Sequence, residues 1–188
     1  MPDDIKKAMN HLRISDTISL ELIEPHHADA LLNLIDKQRP YLKQWLPWVD
    51  NMQNPEDAQR YIEACTLRQE AGNEYGYMLM VNGEAAGRLG IYKLDHYNGI
   101  GEIGYWISEE LQGKGIMTAA CKILLQHAFT TLQLNRVEIR CAQGNIKSAA
   151  IPERLGFKYE GLLRNAEKLP TGFVNLKVFS LLQNEWSS

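Results

Sequence analysis

The sequence has almost no excess of charge of either sign. In 188 residues, 20 Lys and Arg stand against 23 Asp and Glu, a formal net charge of −3. That balance excludes a nucleic-acid binder held by bulk positive charge. Long hydrophobic runs are missing too. No stretch approaches the roughly 20 apolar residues of a membrane span. The acidic start Met1-Pro2-Asp3-Asp4 has neither the positive charge nor the apolar segment of a secretory signal. A cytoplasmic protein with no membrane attachment is expected. Cysteine is scarce: Cys65, Cys121 and Cys141 are odd in number and far apart. They are expected as buried reduced thiols, not as a disulfide framework or a clustered-thiol metal site. The five histidines show no metal-ligand spacing, because His26 and His27 are adjacent and the others stand alone, so no metal is expected. Internal repeats, low-complexity tracts and long Pro/Gly/Ser-rich linkers are also lacking. With 45% hydrophobic residues the chain can bury a substantial core. One domain over residues 11–188 is predicted, preceded by a flexible arm of residues 1–10.

What is present is a change of periodicity along the chain. Ser19 to Glu24 alternates polar with apolar, as a half-buried strand does, and Pro25 stops it. From His26 the apolar positions Ala28, Leu31, Leu32 and Ile35 mark one face of a helix. Asn54-Pro55-Glu56-Asp57 is a helix start: a capping side chain, proline in the first turn, then acids near the positive dipole end. Tyr75–Val81 and Ala85–Leu94 read as strands joined by the hairpin signal Asn82-Gly83, and Gly101–Ser108 reads as a third. A helix with Ala120, Ile123, Leu124, His127 and Ala128 on adjoining faces leads to a strand at Arg136–Cys141, a parallel crossover. A short helical segment near Ser148–Leu155 ends at Gly156, and Phe157–Arg164 and Phe173–Leu182 complete the sheet. Pro152 is expected to shorten or kink that segment.

Two stretches carry chemistry. The first, Ile107-Ser108-Glu109-Glu110-Leu111-Gln112-Gly113-Lys114-Gly115-Ile116-Met117-Thr118, passes from a strand through a glycine-rich turn into a helix. It gathers free backbone N–H groups at a positive dipole end, which suits phosphate. It is neither a Walker loop, since Gly follows the lysine, nor a dinucleotide fingerprint, since the third glycine is missing. The second is Asn145-Ile146-Lys147-Ser148, followed by Leu155-Gly156-Phe157, set after the next strand.

Together, Gln112, Gly115, Asn145, Ser148 and Leu155-Gly156-Phe157 resemble the motifs of the Gcn5-related N-acetyltransferase (GNAT) superfamily. Met117 departs from the Gly/Ala at the end of the first motif. The resemblance is to the RimJ/RimL branch, the ribosomal-protein serine/alanine N-terminal acetyltransferases. It covers about Ile18 to Trp186, including Tyr41 to Trp48, Ile103-Gly104-Tyr105-Trp106 and Gly161-Leu162-Leu163-Arg164. It implies a mixed α/β GNAT fold: a mostly antiparallel sheet of about seven strands with a splayed parallel pair, flanked by about four helices.

The resemblance also implies a function. Acetyl-CoA would be the cosubstrate, its pyrophosphate held by N–H groups from Gly113 to Thr118, including those of Lys114, Gly115, Ile116 and Met117. Its pantetheine arm would lie in the slot between the splayed strands, bonded by Ile107 and the Asn145 side chain, with Ser108 and Gln112 beside it. The acceptor would be a primary amine, foremost the N-terminal α-amine of a protein such as a ribosomal protein. A small amine (polyamine, aminoglycoside or amino acid) and a non-catalytic CoA-binding module are the alternatives. Where much of the superfamily has a tyrosine as acid, this chain has Pro152, so Ser148 becomes the candidate acid; its other reading is a first-turn helix hydroxyl. Glu167 matches the branch's acidic residue facing the amine. Glu102, on the same strand face as Gly104 and Trp106, is the rival base, and for either the other reading is a solvated or paired carboxylate. Trp45, Trp48 and Tyr105 are the expected substrate-binding residues, with the first two helices and the Trp45–Trp48 loop as the roof of the cleft. Members of the branch often pair, so a homodimer is allowed.

Overall fold

The computed structural model describes residues 10–187, so the arm expected over residues 1–10 lies, apart from Asn10, outside the described residues. One eight-stranded sheet forms the centre. Its strands are β1 (His11–Arg13), β2 (Ile18–Leu22), β3 (Tyr75–Val81), β4 (Glu84–Asp95), β5 (Ile100–Ile107), β6 (Arg136–Ala142), β7 (Lys158–Leu169) and β8 (Gly172–Leu182). They lie in the order β1-β2-β3-β4-β5-β6-β8-β7. The strand beyond the expected seven is β1, three residues paired antiparallel to β2, too short to show any period.

Four α-helices accompany the sheet among the described residues: α1 (Ala28–Leu42), α2 (Pro55–Glu70), α3 (Ile116–Thr130) and α4 (Ile146–Arg154). None is long and apolar enough to cross a membrane. Helix α2 starts as its sequence signal requires, the Asn54 side chain accepting the Asp57 N–H at 2.9 Å. Asn82 and Gly83 both take positive φ, 53° and 80°, the tight turn that joins β3 to β4.

The sheet buries both faces against different helices. On one, Ile103, Ile107, Val137, Ile139 and Cys141 join Ala120, Leu124 and Ala128 of α3. On the other, Met78 packs with Leu31 and Ile35 of α1 and Ala58 and Ile62 of α2. Alternation along β5 sends Tyr105 to the α3 side and Trp106 to the α1–α2 side.

Every neighbouring pair is antiparallel except β5 and β6. That parallel ladder is short: Ile100 faces Arg136, Gly101 faces Val137, Glu102 faces Glu138, and the pairing stops there. Beyond it β5 remains bonded to β4 as far as Ile107, and β6 to β8 as far as Ala142. A slot therefore opens between Ile103–Ile107 and Ile139–Ala142, each side still rigid because its other edge is paired.

Candidate active site

A cleft of about 970 Å³ runs through that slot, lined by the ends of β5 and β6, the starts of α3 and α4, and the end of α1 with the turn after it. At one mouth lies the turn into α3. Gly113 and Gly115 both adopt left-handed φ, 73° and 75°. A Cβ at either would meet no atom within 4 Å, so glycine is needed for conformation, and the space above the turn is open. The first bonded amide of α3 is Ala119, which reaches the Gly115 carbonyl at 3.0 Å. The amides from Gly113 to Thr118 have no backbone or side-chain acceptor among the described residues. Six free donors on a turn at a helix N-terminus, with room above them, fit a pyrophosphate.

Side chains fix the mouth from both sides. Gln112 donates to the Tyr41 hydroxyl at the end of α1 and accepts from Lys147 of α4 at 2.8 Å. Arg154, at the end of α4, donates to Thr118 Oγ1 at 2.7 Å and so brings a guanidinium to the α3 N-terminus. Tyr41 and Arg154 were not among the sequence candidates. Arg154 lies seven residues, about two turns, beyond Lys147, a spacing that places those two on one side of α4.

Deeper in the slot, three elements hold Ser148. Its N–H donates to Asn145 Oδ1 at 3.1 Å, its carbonyl accepts the Tyr105 hydroxyl at 2.8 Å, and its Oγ donates to Cys141 Sγ at 3.3 Å. Asn145 thus caps α4 with its oxygen. The segment is a nine-residue α-helix that contains Pro152. Burial pushes the Tyr105 phenol and the Cys141 thiol above their ordinary values, so both stay protonated at neutral pH.

Glu167 lines the far side of the cleft. Between Leu163↔Leu176 and Glu167↔Val174, β7 advances four residues while β8 advances two, and this bulge carries Glu167 towards the slot. Asn165 sits in the bulge at φ 49°, its N–H held by Asn175 Oδ1 at 2.9 Å, and Asn175 Nδ2 donates to Gln143 Oε1 at 2.9 Å. The Glu167 carboxyl is raised from its ordinary value, first by burial and then by the negative charge of Glu102, against the pull of Lys93.

The other candidates divide. Trp45 lines the cleft beside Gly144, and Tyr105 lines it with its ring. Trp48 does not: it stacks on Tyr61 of α2 at 5.6 Å between ring centroids, and α2 contributes nothing to the cleft. Among the described residues the roof is α1 and the turn after it, without the expected second helix, and the Trp48 ring turns instead to its aromatic partner on α2. Glu102 lies outside the lining, paired with Lys93 at 2.9 Å and Arg140 at 3.3 Å. Lys114 is exposed beyond the mouth, and Ser108 is buried with its N–H on the Ala86 carbonyl at 2.8 Å. Away from the cleft the fold brings Glu21, His26 and His27 together, which their sequence spacing hides. His27 already accepts the Glu24 N–H on Nδ1 and faces Glu21 with Nε2 at 3.3 Å, so its ring has no free lone pair for a metal.

The acetyltransferase (GNAT) domain family matches residues 18–158. The chain belongs to that family. This GNAT chain is 39% identical over 177 residues to YdaF of Bacillus subtilis (strain 168), a protein named with an inferred ribosomal N-acetyltransferase activity; the match covers 93% of this chain and 96% of that one. It is 28% identical over 169 residues to the ribosomal-protein-serine acetyltransferase of Escherichia coli (strain K12), covering 90% and 94%. Among solved structures it superposes with a TM-score of 0.89 on RimL, the ribosomal L7/L12 α-N-protein acetyltransferase in complex with coenzyme A. There the identity is 26%, with 94% of this chain and 99% of that one covered. This GNAT chain is an N-acetyltransferase with the mixed sheet of its family.

Proposed function

We propose that this GNAT enzyme moves the acetyl group of acetyl-CoA to the N-terminal α-amine of a protein, a ribosomal protein beginning with Ser or Ala in the first instance. One observation carries this reading. The slot joins a mouth of unpaired amides to a carboxylate held above its ordinary proton affinity, through a cleft open enough to admit a chain end. The relatives' names support the same acceptor class.

Acetyl-CoA supplies an activated acyl group as a thioester. The amides from Gly113 to Thr118, with Arg154 beside them, would hold its phosphates, and the edge of β5 at Ile107 with Asn145 would hold the arm. Trp45 and Leu46 would border the acceptor. An α-amine has an ordinary pKa of about 7.7 to 8.0, so roughly a tenth to a sixth of it is neutral at pH 7 without help. Glu167 takes the remaining proton, directly or through water, and its charge draws the amine in. Attack forms the C–N bond and breaks the C–S bond. Ser148 Oγ hydrogen-bonds the departing sulfur, whose proton comes from the hydroxyl or from water behind it.

Thiol release from acetyl-CoA, followed in parallel with Ser-initiated peptides, lysine peptides and small amines, tests the proposal. Turnover of the Ser-initiated peptides in preference to the rest is expected. Turnover of small amines alone overturns the acceptor, and tight CoA binding with no turnover of any amine overturns the reaction. Ser148→Ala and Glu167→Gln are expected to lower kcat by roughly 10²-fold, within the range of acid–base groups, with cofactor affinity nearly unchanged.

A further inference from the structure

In a regular α-helix the carbonyl of Ser148 would accept the N–H of residue 152. Residue 152 is proline, which has no N–H to give. A carbonyl in the first turn of α4 is thereby released from the helix, half-buried beside the slot. The Tyr105 hydroxyl occupies the vacant position, donating to that carbonyl at 2.8 Å. The donor comes from β5, the acceptor from α4 beyond β6, so this bond crosses the gap where the parallel ladder has ended. Ser148 Oγ, on the same residue, faces Cys141 at the end of β6.

We infer that Tyr105 is a positioning residue for Ser148: its hydroxyl replaces the helix hydrogen bond that Pro152 removes, and so fixes both the width of the slot and the place of the Ser148 hydroxyl. Tyr105 gives no proton to the reaction. Its catalytic side rests on the reading of Ser148 as the group that meets the departing sulfur. The bond itself does not depend on that reading.

The two residues form a cycle that can be opened and closed again. Tyr105→Phe leaves the Ser148 carbonyl without a donor. Pro152→Ala restores a backbone N–H at the position that can supply one, and alanine suits a helix interior better than proline. Steady-state kinetics and thermal midpoints would be measured for the wild type, Tyr105→Phe, Pro152→Ala and the double variant. Loss of one hydrogen bond to a half-buried carbonyl predicts a fall of about tenfold in kcat for Tyr105→Phe, with KM for acetyl-CoA changed by less than about twofold, and a lower thermal midpoint. Pro152→Ala alone should stay within about twofold of wild type, and the double variant should recover most of both losses. The alkaline limb of the pH–rate profile should not move in Tyr105→Phe.

A double variant as impaired as Tyr105→Phe overturns the inference, and so does a displaced alkaline limb, which would make the phenol an acid. An unaltered Tyr105→Phe overturns it as well. If Tyr105→Phe does not fold, recovery of folded protein on adding Pro152→Ala is the expected result, and its failure is the overturning one. The thermal midpoints require no turnover. A wild type that acetylates no amine would remove the proposed function and leave the Tyr105–Pro152 cycle tested by stability alone.

Discussion

Glu167 and Glu102 show how two carboxyls of similar sequence standing acquire different chemistry. Glu102 is paired with Lys93 and Arg140, while Glu167 is half-buried, without an ion-pair partner among the described residues, and feels Glu102 as a negative neighbour. As the proposed base, Glu167 must be ionised, so the rate is expected to climb with pH through its raised value. The acid limb of kcat/KM is expected above the ordinary carboxylate value of about 4.5 and to vanish in Glu167→Gln. Glu102→Gln removes the negative neighbour and frees Lys93, while Arg140 keeps Glu138, and so moves that limb to lower pH; Lys93→Met moves it higher. A pH–rate profile in which Glu102→Gln leaves the limb in place would reject this coupling. For stability the sign is opposite. The fold favours protonated Glu167, so its contribution is complete below about pH 4.5 and is lost as pH rises through the raised value. At this scale the glycines of the α3 turn and the Asn54 cap were legible, because backbone conformation and capping demand particular residue types; the cap that Asn145 gives Ser148 was not, since the sequence points Asn145 only toward the cofactor. Trp48 was not: a loop position does not say whether the ring turns to a ligand or, as here, to Tyr61.

At the scale of elements, the long strands and helices were legible wherever a period repeats several times. The end of β7 was not. Its bulge breaks alternation, so the strand read from the sequence stops at Arg164 where the structure continues it to Leu169, and the residue that secures the bulge, Asn175, stands on the partner strand with no local motif. Asn175→Ala removes two side-chain hydrogen bonds and leaves the Asn165 amide, held at positive φ, without its acceptor. A loss of about 1–2 kcal/mol in stability by urea denaturation is expected. A larger relative fall in kcat than in cofactor affinity is expected with it, since Glu167 is carried by the bulge and the glycine turn before α3 is not. Equal losses in both would argue that Asn175 supports the fold generally and has no special hold on Glu167.

Across the whole molecule, the sheet face that α1 and α2 leave uncovered carries a ribbon of charge: Lys93, Glu102, Arg140, Glu138, Arg136 and Glu160 reach across β4, β5, β6 and β7. The near-zero net charge of the sequence conceals this order, because composition records how many charges there are and not which strands set them side by side. Glu160 is lowered to about 2 by its bonds to Arg136 and Ser180, and Glu138 is lowered by Arg140 and Arg136 against the cost of its burial. Depressed carboxyls stabilise fully above about pH 4.5 and lose that contribution as pH falls through their folded values. The thermal midpoint is therefore expected to fall steeply between about pH 4.5 and 2, and Glu160→Gln should flatten that slope while lowering the midpoint at pH 7. An unchanged slope would show that the ribbon is too well solvated to matter.

The short parallel ladder divides the sheet into two blocks, each continuous in the chain: residues 11–107 supply one, residues 136–182 the other. Among the described residues, three rungs, the amides of Asn135 and Arg136 on the Gly99 carbonyl, and a crossover helix join their backbones. An extended ligand arm with amide groups, if laid along the unpaired edge of β5 as proposed, would take the place of the rungs that are missing and act as a ninth strand. Such a ligand would be a structural member of the sheet for as long as it stayed, while the Tyr105–Ser148 bond spans the gap with or without it.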